Sequence, residues 1–456
     1  MKIYSNAYSH SFMAGEVHVY SDFDGTYCPA KHSSLHKEGE NLFMNDYCKK
    51  MDTFINSTKG DLHFHVTTGR TFGEYEAISH LLKIRRFHLP LPESFIAKNG
   101  SDEYIKSGSD KDFYEKGVFP YKYSEPNKLK EDKIRELTNW DGKKLKNYIR
   151  DLAKQYKLRL IEADSENSVL DYGNNSLFSS GKLNPDEWKK LPNKNGKIQE
   201  HKTPIADFVM GSRNDGNLKV NLIFSPDYGY CPERNFIYDN FINDIKRFLA
   251  ENRMEYSMDW DIPNKSNNYR NHCNITPKID HQAITKLYDT KNALFDAIKN
   301  NDIVVVAGDG SNDIEMLNPL EYIEKKDWDK YRKGTKCQYF YDADNRKKIS
   351  IMKDAFEGNN DILKKELETN GLIARLKELP LYGIIIENSS PSLQELKQTF
   401  ERFGKIIEVS KAKLDEGIKI VIEKHAKNSK TFKQAMSENF QKYILGVTSK
   451  KKVIIH

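Results

Sequence analysis

Residues 17–26 read Val17-His18-Val19-Tyr20-Ser21-Asp22-Phe23-Asp24-Gly25-Thr26, a short apolar-rich run that ends in two carboxylates one residue apart. The run has the composition of a strand. A strand turns alternate side chains the same way, so Asp22 and Asp24 would share a side if it continued through them. Gly25 then lets the chain turn away at once. Two carboxylates this close resist joint ionisation, which splits their pKa values and gives them different tasks, one an ionised nucleophile and the other a proton carrier. A lone Asp-x-Asp pair is equally consistent with a solvated turn, so the rest of the chain has to decide.

Two later stretches end in the same manner. After an expected helix over Asn41–Ser57, with Phe43, Tyr47, Met51 and Phe54 at helical spacing, residues 61–70 alternate like a strand and stop at Thr67-Thr68-Gly69-Arg70. Strand, helix and strand in that order predict a parallel sheet with crossover helices. His63 and His65 fall on one face of this strand; packing under a helix is the favoured reading over metal binding, because no third ligand is near them in sequence. The second stretch is Ile303-Val304-Val305-Val306-Ala307, the β-branched run of a strand buried on both faces, broken by Gly308-Asp309-Gly310-Ser311-Asn312-Asp313.

In kind and in order, Asp22-Phe23-Asp24-Gly25-Thr26, Thr68-Gly69-Arg70 and Gly308-Asp309-Gly310-Ser311-Asn312-Asp313 resemble the motifs of the haloacid dehalogenase (HAD) superfamily, and a domain of roughly 170 residues placed between the second motif and the lysine resembles its type IIB, the Cof-like and sucrose-phosphatase-like branch. That resemblance implies an α/β fold, a doubly wound parallel-sheet (Rossmann-like) core with an inserted α+β C2-type cap. The divisions expected are core over 1–105, 275–319 and 381–430, cap over 106–274, an insertion over 320–380 and a basic tail over 431–456.

The resemblance also implies roles. Asp22 is the expected nucleophile and Asp24 the general acid and base, with the Thr68 hydroxyl (Thr67 the alternative) and a lysine meeting the phosphoryl group. The lysine region departs from the family pattern: Lys278, Lys286 and Lys291 compete, and Lys291, ahead of Asn292-Ala293-Leu294, is taken first with Lys286 second. Mg²⁺ is the expected cofactor, held by Asp22, the backbone carbonyl of Asp24 and Asp309, with Asp313 acting directly or through water. Gly69, Arg70, Asn312 and Lys219 are expected near substrate. Arg70 is equally suited to tying down the next helix, whereas for Lys219 a solvated strand position, and for Trp140 a core position, is the favoured reading over substrate contact.

Composition bounds the rest. The net charge of +6 is the small difference between 72 basic and 66 acidic residues among 456, too balanced for nucleic acid yet mildly attractive to anions. Five cysteines without a Cys-x-x-Cys point to neither a zinc knuckle nor a disulfide framework. With no signal-like start and no apolar run of about 18 residues, a cytoplasmic protein without a transmembrane segment is expected. The function implied is a Mg²⁺-dependent phosphatase acting on a small phosphorylated metabolite, a sugar phosphate in the first instance. The alternatives are a phosphomutase or phosphotransferase on the same core, and a non-catalytic binding or regulatory protein on this scaffold.

Overall fold

The computed structural model of the chain describes residues 15–29, 38–70, 72–97, 100, 102–124, 132, 134–163, 207–211, 218–224, 232–261, 272–279, 282–283, 286–323, 345–358 and 360–446. These divide into a core unit, before residue 124 and after residue 284, and an inserted unit between. In the core unit the chain forms β1 (Val17–Ser21), β2 (Leu62–Thr67), β3 (Ser94–Ala97), β4 (Asp102–Lys106) and β5 (Tyr121–Tyr123). The inserted unit carries β6 (Leu160–Ala163), β7 (Phe208–Gly211), β8 (Val220–Phe224), β9 (Tyr256–Asp261), β10 (His272–Ile279) and β11 (Gln282–Ala283). The core resumes with β12 (Ile303–Gly308), β13 (Leu381–Ile386) and β14 (Ile406–Val409).

The core sheet has the order β14-β13-β12-β1-β2-β3-β4-β5. Strands β14 through β3 run parallel, and β4 and β5 add an antiparallel edge. This is the doubly wound α/β arrangement expected, with strand order reversing between β1 and β12. Residues 106–123, expected in the insert, instead complete the edge of the core sheet, and the inserted unit begins at 124. That unit pairs its strands in the order β11-β10-β8-β7-β6, with β9 on β10, and carries helices Gly142–Gln155 and Pro232–Glu251. Trp140 is buried within it.

Burial on both faces explains the apolar runs. In β12, Ile303, Val305 and Ala307 enter one apolar cluster while Val304 and Val306 enter the other. The first face takes Tyr47, Met51 and Phe54 from helix Glu38–Ser57 and Ile418, Val421 and Ile422 from helix Leu414–Asn428. The second takes Leu294 from helix Leu287–Asn300 and Leu393 and Leu396 from helix Pro391–Phe400.

Two segments depart from expectation. Residues 345–378, inside the expected insertion, are three helices whose Ile349, Met352, Leu363, Leu367, Leu372 and Leu376 are buried in this second cluster, so they are part of the core's helical layer. The expected basic tail is folded as far as Gly446: helices Lys430–Ala435 and Glu438–Leu445 bury Phe432, Phe440 and Ile444 in the first cluster, and Met436, between the two helices, joins them. Phe440 and Ile444, four residues apart, share one face of the second helix, hidden among polar and charged neighbours. No helix among the described residues is long and apolar enough to cross a membrane.

Candidate active site

In an open parallel sheet the carboxyl ends of the strands line a crevice where the strand order reverses. Asp22 leaves β1 there, its backbone N–H donating to the Ala307 carbonyl at 2.8 Å and so extending the pairing of Ser21 with Ala307. That register sets Asp22 beside the step from Gly308 to Asp309. Gly25 has a φ of +78°, and a Cβ on it would lie 2.8 Å from Cγ of Asp309. A Cβ on Gly308 would lie 2.6 Å from Cβ of Asp313. Both glycines of the Asp-Gly and Gly-Asp signatures are therefore places where a carboxylate is packed against bare backbone.

Asp313 is held at the start of the short helix after β12. Its Oδ2 accepts the backbone N–H groups of Asp309 (3.2 Å) and Gly310 (3.0 Å), which leaves Oδ1 for Lys286 at 2.6 Å. The same ammonium donates to Oδ1 of Asp22 at 2.5 Å. Asp22, Asp313 and Lys286 are all buried. Burial alone would lower the Lys286 pKa, but the carboxylates of Asp22 and Asp313 outweigh it and push it up. Burial pushes the Asp22 carboxyl up, Lys286 opposes the rise, and Asp313, Asp309 and Asp24 add to it. Because two carboxylates face one amine, the ammonium form of Lys286 is the state that holds. Asp309 is pushed up to about 7, first by burial and then by Asp313.

The pocket thus gathers more negative charge than Lys286 balances. Asp22, Asp309 and Asp313 each offer an oxygen within 4.8 Å of the others, a hard all-oxygen donor set that fits Mg²⁺. Parallel strands, an acid at each side of the switch point and one buried lysine between them are the arrangement that the motif resemblance implies. The core resembles that of the haloacid dehalogenase superfamily.

The lysine that reaches these acids is Lys286, through Asp22 and Asp313, where the expectation put Lys291 first. Lys291 lies five positions further along helix Leu287–Asn300, about 140° round its axis, which turns it away from the pocket side. The Ala293-Leu294 pair drew attention to Lys291. The usable signal was positional, because Lys286 caps that helix and is the second residue after the chain re-enters the core. Lys278 lies on β10 of the inserted unit.

Asp24 is engaged by Arg70, which donates Nε to Oδ2 (2.5 Å) and an Nη to Oδ1 (2.8 Å) and also lies 3.7 Å from Glu74 of the following helix. Arg70 therefore holds Asp24 and the helix together. Thr68 is buried just past β2, its N–H on the Ile96 carbonyl and its Oγ1 accepting from the Arg70 N–H at 3.2 Å. Thr67 is also buried, and its Oγ1 has no partner. Thr26 Oγ1 donates to Asp309 at 3.4 Å, a contact the sequence did not flag. Gly69 and Asn312 are exposed, one following β2 and the other following β12. Lys219 is buried in the inserted unit, ahead of β8, and is not the solvated strand position weighed for it.

No family model and no curated relative matches the chain. Among solved structures, it is similar to the sucrose-phosphatase of Synechocystis in complex with sucrose and phosphate, at 11% identity and TM-score 0.37 over 90% of this chain and 98% of that one. A haloacid dehalogenase-like hydrolase from Bacteroides thetaiotaomicron gives 11% and 0.37 over 90% and 99%. A trehalose-6-phosphate phosphatase from Aspergillus fumigatus gives 12% and 0.32 over 68% and 78%. These likenesses are loose, and the site is read from this chain's own residues.

Proposed function

We propose that the protein is a HAD-type phosphatase that hydrolyses a small phosphorylated metabolite, with sugar phosphates the first class to test. The observation that carries the reading is the buried Asp22 carboxylate paired with Lys286 at the topological switch point. An acid there, desolvated and aimed by an ammonium, suits nucleophilic attack on phosphorus. An Asp22 oxygen forms the new bond to phosphorus while the bond to the leaving oxygen breaks, and that oxygen takes its proton from Asp24. Water then attacks the aspartyl-phosphate and gives a proton to Asp24, which releases phosphate and restores Asp22.

The Lys286 ammonium and the Thr68 hydroxyl meet charge on the phosphoryl oxygens. Asp22, Asp309 and Asp313 would hold Mg²⁺, which when bound neutralises the acids and polarises the phosphoryl group. Both Asp24 oxygens accept from Arg70, so for Asp24 to face the leaving oxygen Arg70 has to exchange it for another anion, and substrate phosphate is the anion at hand. The sugar-phosphate class is supported by the motif resemblance and by a compact α+β insertion at the C2 position.

The test is phosphate release from sugar phosphates, nucleotides and phosphopeptides, with Mg²⁺ and with chelator. Asp22→Asn is expected to abolish turnover. Full activity in that variant would overturn the reading, and isomer interconversion without phosphate release would replace hydrolysis by a mutase.

A further inference from the structure

The amino ends of the same strands carry a second group of metal-ligating side chains. Alternation puts Glu16 and His18 on one face of β1, and Asp302, just ahead of β12, on the same face of the sheet. Glu16, His18 and Asp302 each offer a ligand atom within 4.8 Å of the other two, which compares with about 3.3 Å between the ligands of a tetrahedral ion. All three are buried.

Asp302 is the member that points to a missing ligand. Its Oδ1 accepts the backbone N–H groups of Gly15 and Glu16, both at 2.9 Å, and its Oδ2 is buried without a partner, although the residue is only 1% exposed. An anionic oxygen left bare in a protein interior is costly unless something cationic meets it. Asp302 also lines a cavity of about 500 Å³ between the amino ends of β12 and β13.

The surroundings suit a neutral imidazole. Burial, then His65 and His63, lower the His18 pKa to about 3. The His18 ring stacks on His63 at 5.1 Å. His63 Nε2 lies 3.3 Å from Glu16 Oε2 and its Nδ1 2.9 Å from Glu93, so His63 orients the Glu16 carboxylate from behind.

We propose that Glu16, His18 and Asp302 form a second metal site, for a borderline transition ion of the Zn²⁺ class. One imidazole with two carboxylates selects such an ion over Mg²⁺, which prefers oxygen alone and keeps its waters. The site is separate from the acids at the carboxyl edge and does not depend on the phosphatase reading.

Co²⁺ titration of the purified full chain in excess Mg²⁺ tests this, with Mg²⁺ occupying the all-oxygen pocket. The wild type is expected to bind one Co²⁺, with a visible absorption band that Zn²⁺ displaces. His18→Gln and Asp302→Asn are expected to weaken binding at least tenfold. Asp302→Asn keeps the Oδ1 acceptor for Gly15 and Glu16, and thermal unfolding in chelator checks that each variant is folded. A wild-type chain that takes up no Co²⁺ under these conditions overturns the proposal whatever the variants do. So does a folded His18→Gln chain that binds as wild type.

Discussion

Replacing Lys286 by Met keeps the aliphatic stem and removes the ammonium, so the effect isolates charge. In the wild type that ammonium makes two short bonds, 2.5 Å to Asp22 and 2.6 Å to Asp313, with all three groups buried. Breaking a buried pair by deleting one partner costs about 3–5 kcal/mol. Here two carboxylates are stranded at once, so the upper half of that range is expected in chelator at pH 8. The loss should shrink as pH falls, because the stranded acids take up protons, and it should shrink when Mg²⁺ is added. Turnover should fall by about 10²–10³, the usual effect of removing one preorganised donor from developing charge. Lys291→Met is the matched control, expected within about 0.5 kcal/mol of wild type. Urea midpoints with and without Mg²⁺, and phosphate release, read both variants. The reasoning fails if Lys286→Met is as stable as wild type in chelator, or if Lys291→Met is the variant that loses activity.

Gly25→Ala puts a Cβ against the Asp309 carboxylate at a φ of +78°, and a loss of about 1–3 kcal/mol with at least tenfold lower turnover should appear in denaturation and rate measurements. Phe440→Ala, fully buried in the first apolar cluster, should cost about 3–5 kcal/mol, and a urea midpoint equal to wild type would place that helix outside the core. Arg70→Lys keeps the charge but loses the two-pronged grip on Asp24; kcat should fall more than stability, which paired rate and urea measurements separate. His425, hydrogen-bonded to the Tyr382 hydroxyl, has its pKa lowered to about 4 by burial and by Lys405. The unfolded chain then binds the proton more readily, so stability is complete above about 6.5 and declines toward pH 4. His425→Phe should flatten that decline in pH-dependent urea titrations.

The core was legible because its signals are local and strong. Gly308-Asp309-Gly310 follows a β-branched strand, and Asp22-Phe23-Asp24 follows an alternating one, so the paired strand ends could be placed on one edge. The lysine was misplaced because its identity depends on where the chain re-enters the core, and that crossing has no sequence mark as plain as a glycine turn. Residues 345–378 and 431–445 read as accessory in the sequence because their apolar positions are diluted by lysine and glutamate. Only the sheet face they cover reveals them as core. His63 and His65 were weighed as a metal pair without a third ligand. The group that the fold gathers is a different one, Glu16, His18 and Asp302; Glu16 and Asp302 sit 286 residues apart, and only the pairing of β1 with β12 brings them together.

That same separation governs how the molecule can assemble. The two middle strands of the sheet are remote in the chain, so β1 emerges from the ribosome long before its neighbour on one side exists. Until β12 arrives, the open flank of β1 presents unpaired backbone groups, a template for wrong partners. Assembly of the sheet is therefore expected to be slow for a domain of its size, as contacts distant along the chain dictate. An autonomous fold in residues 124–284 would help by collapsing most of the intervening polymer into a single body before the two halves meet.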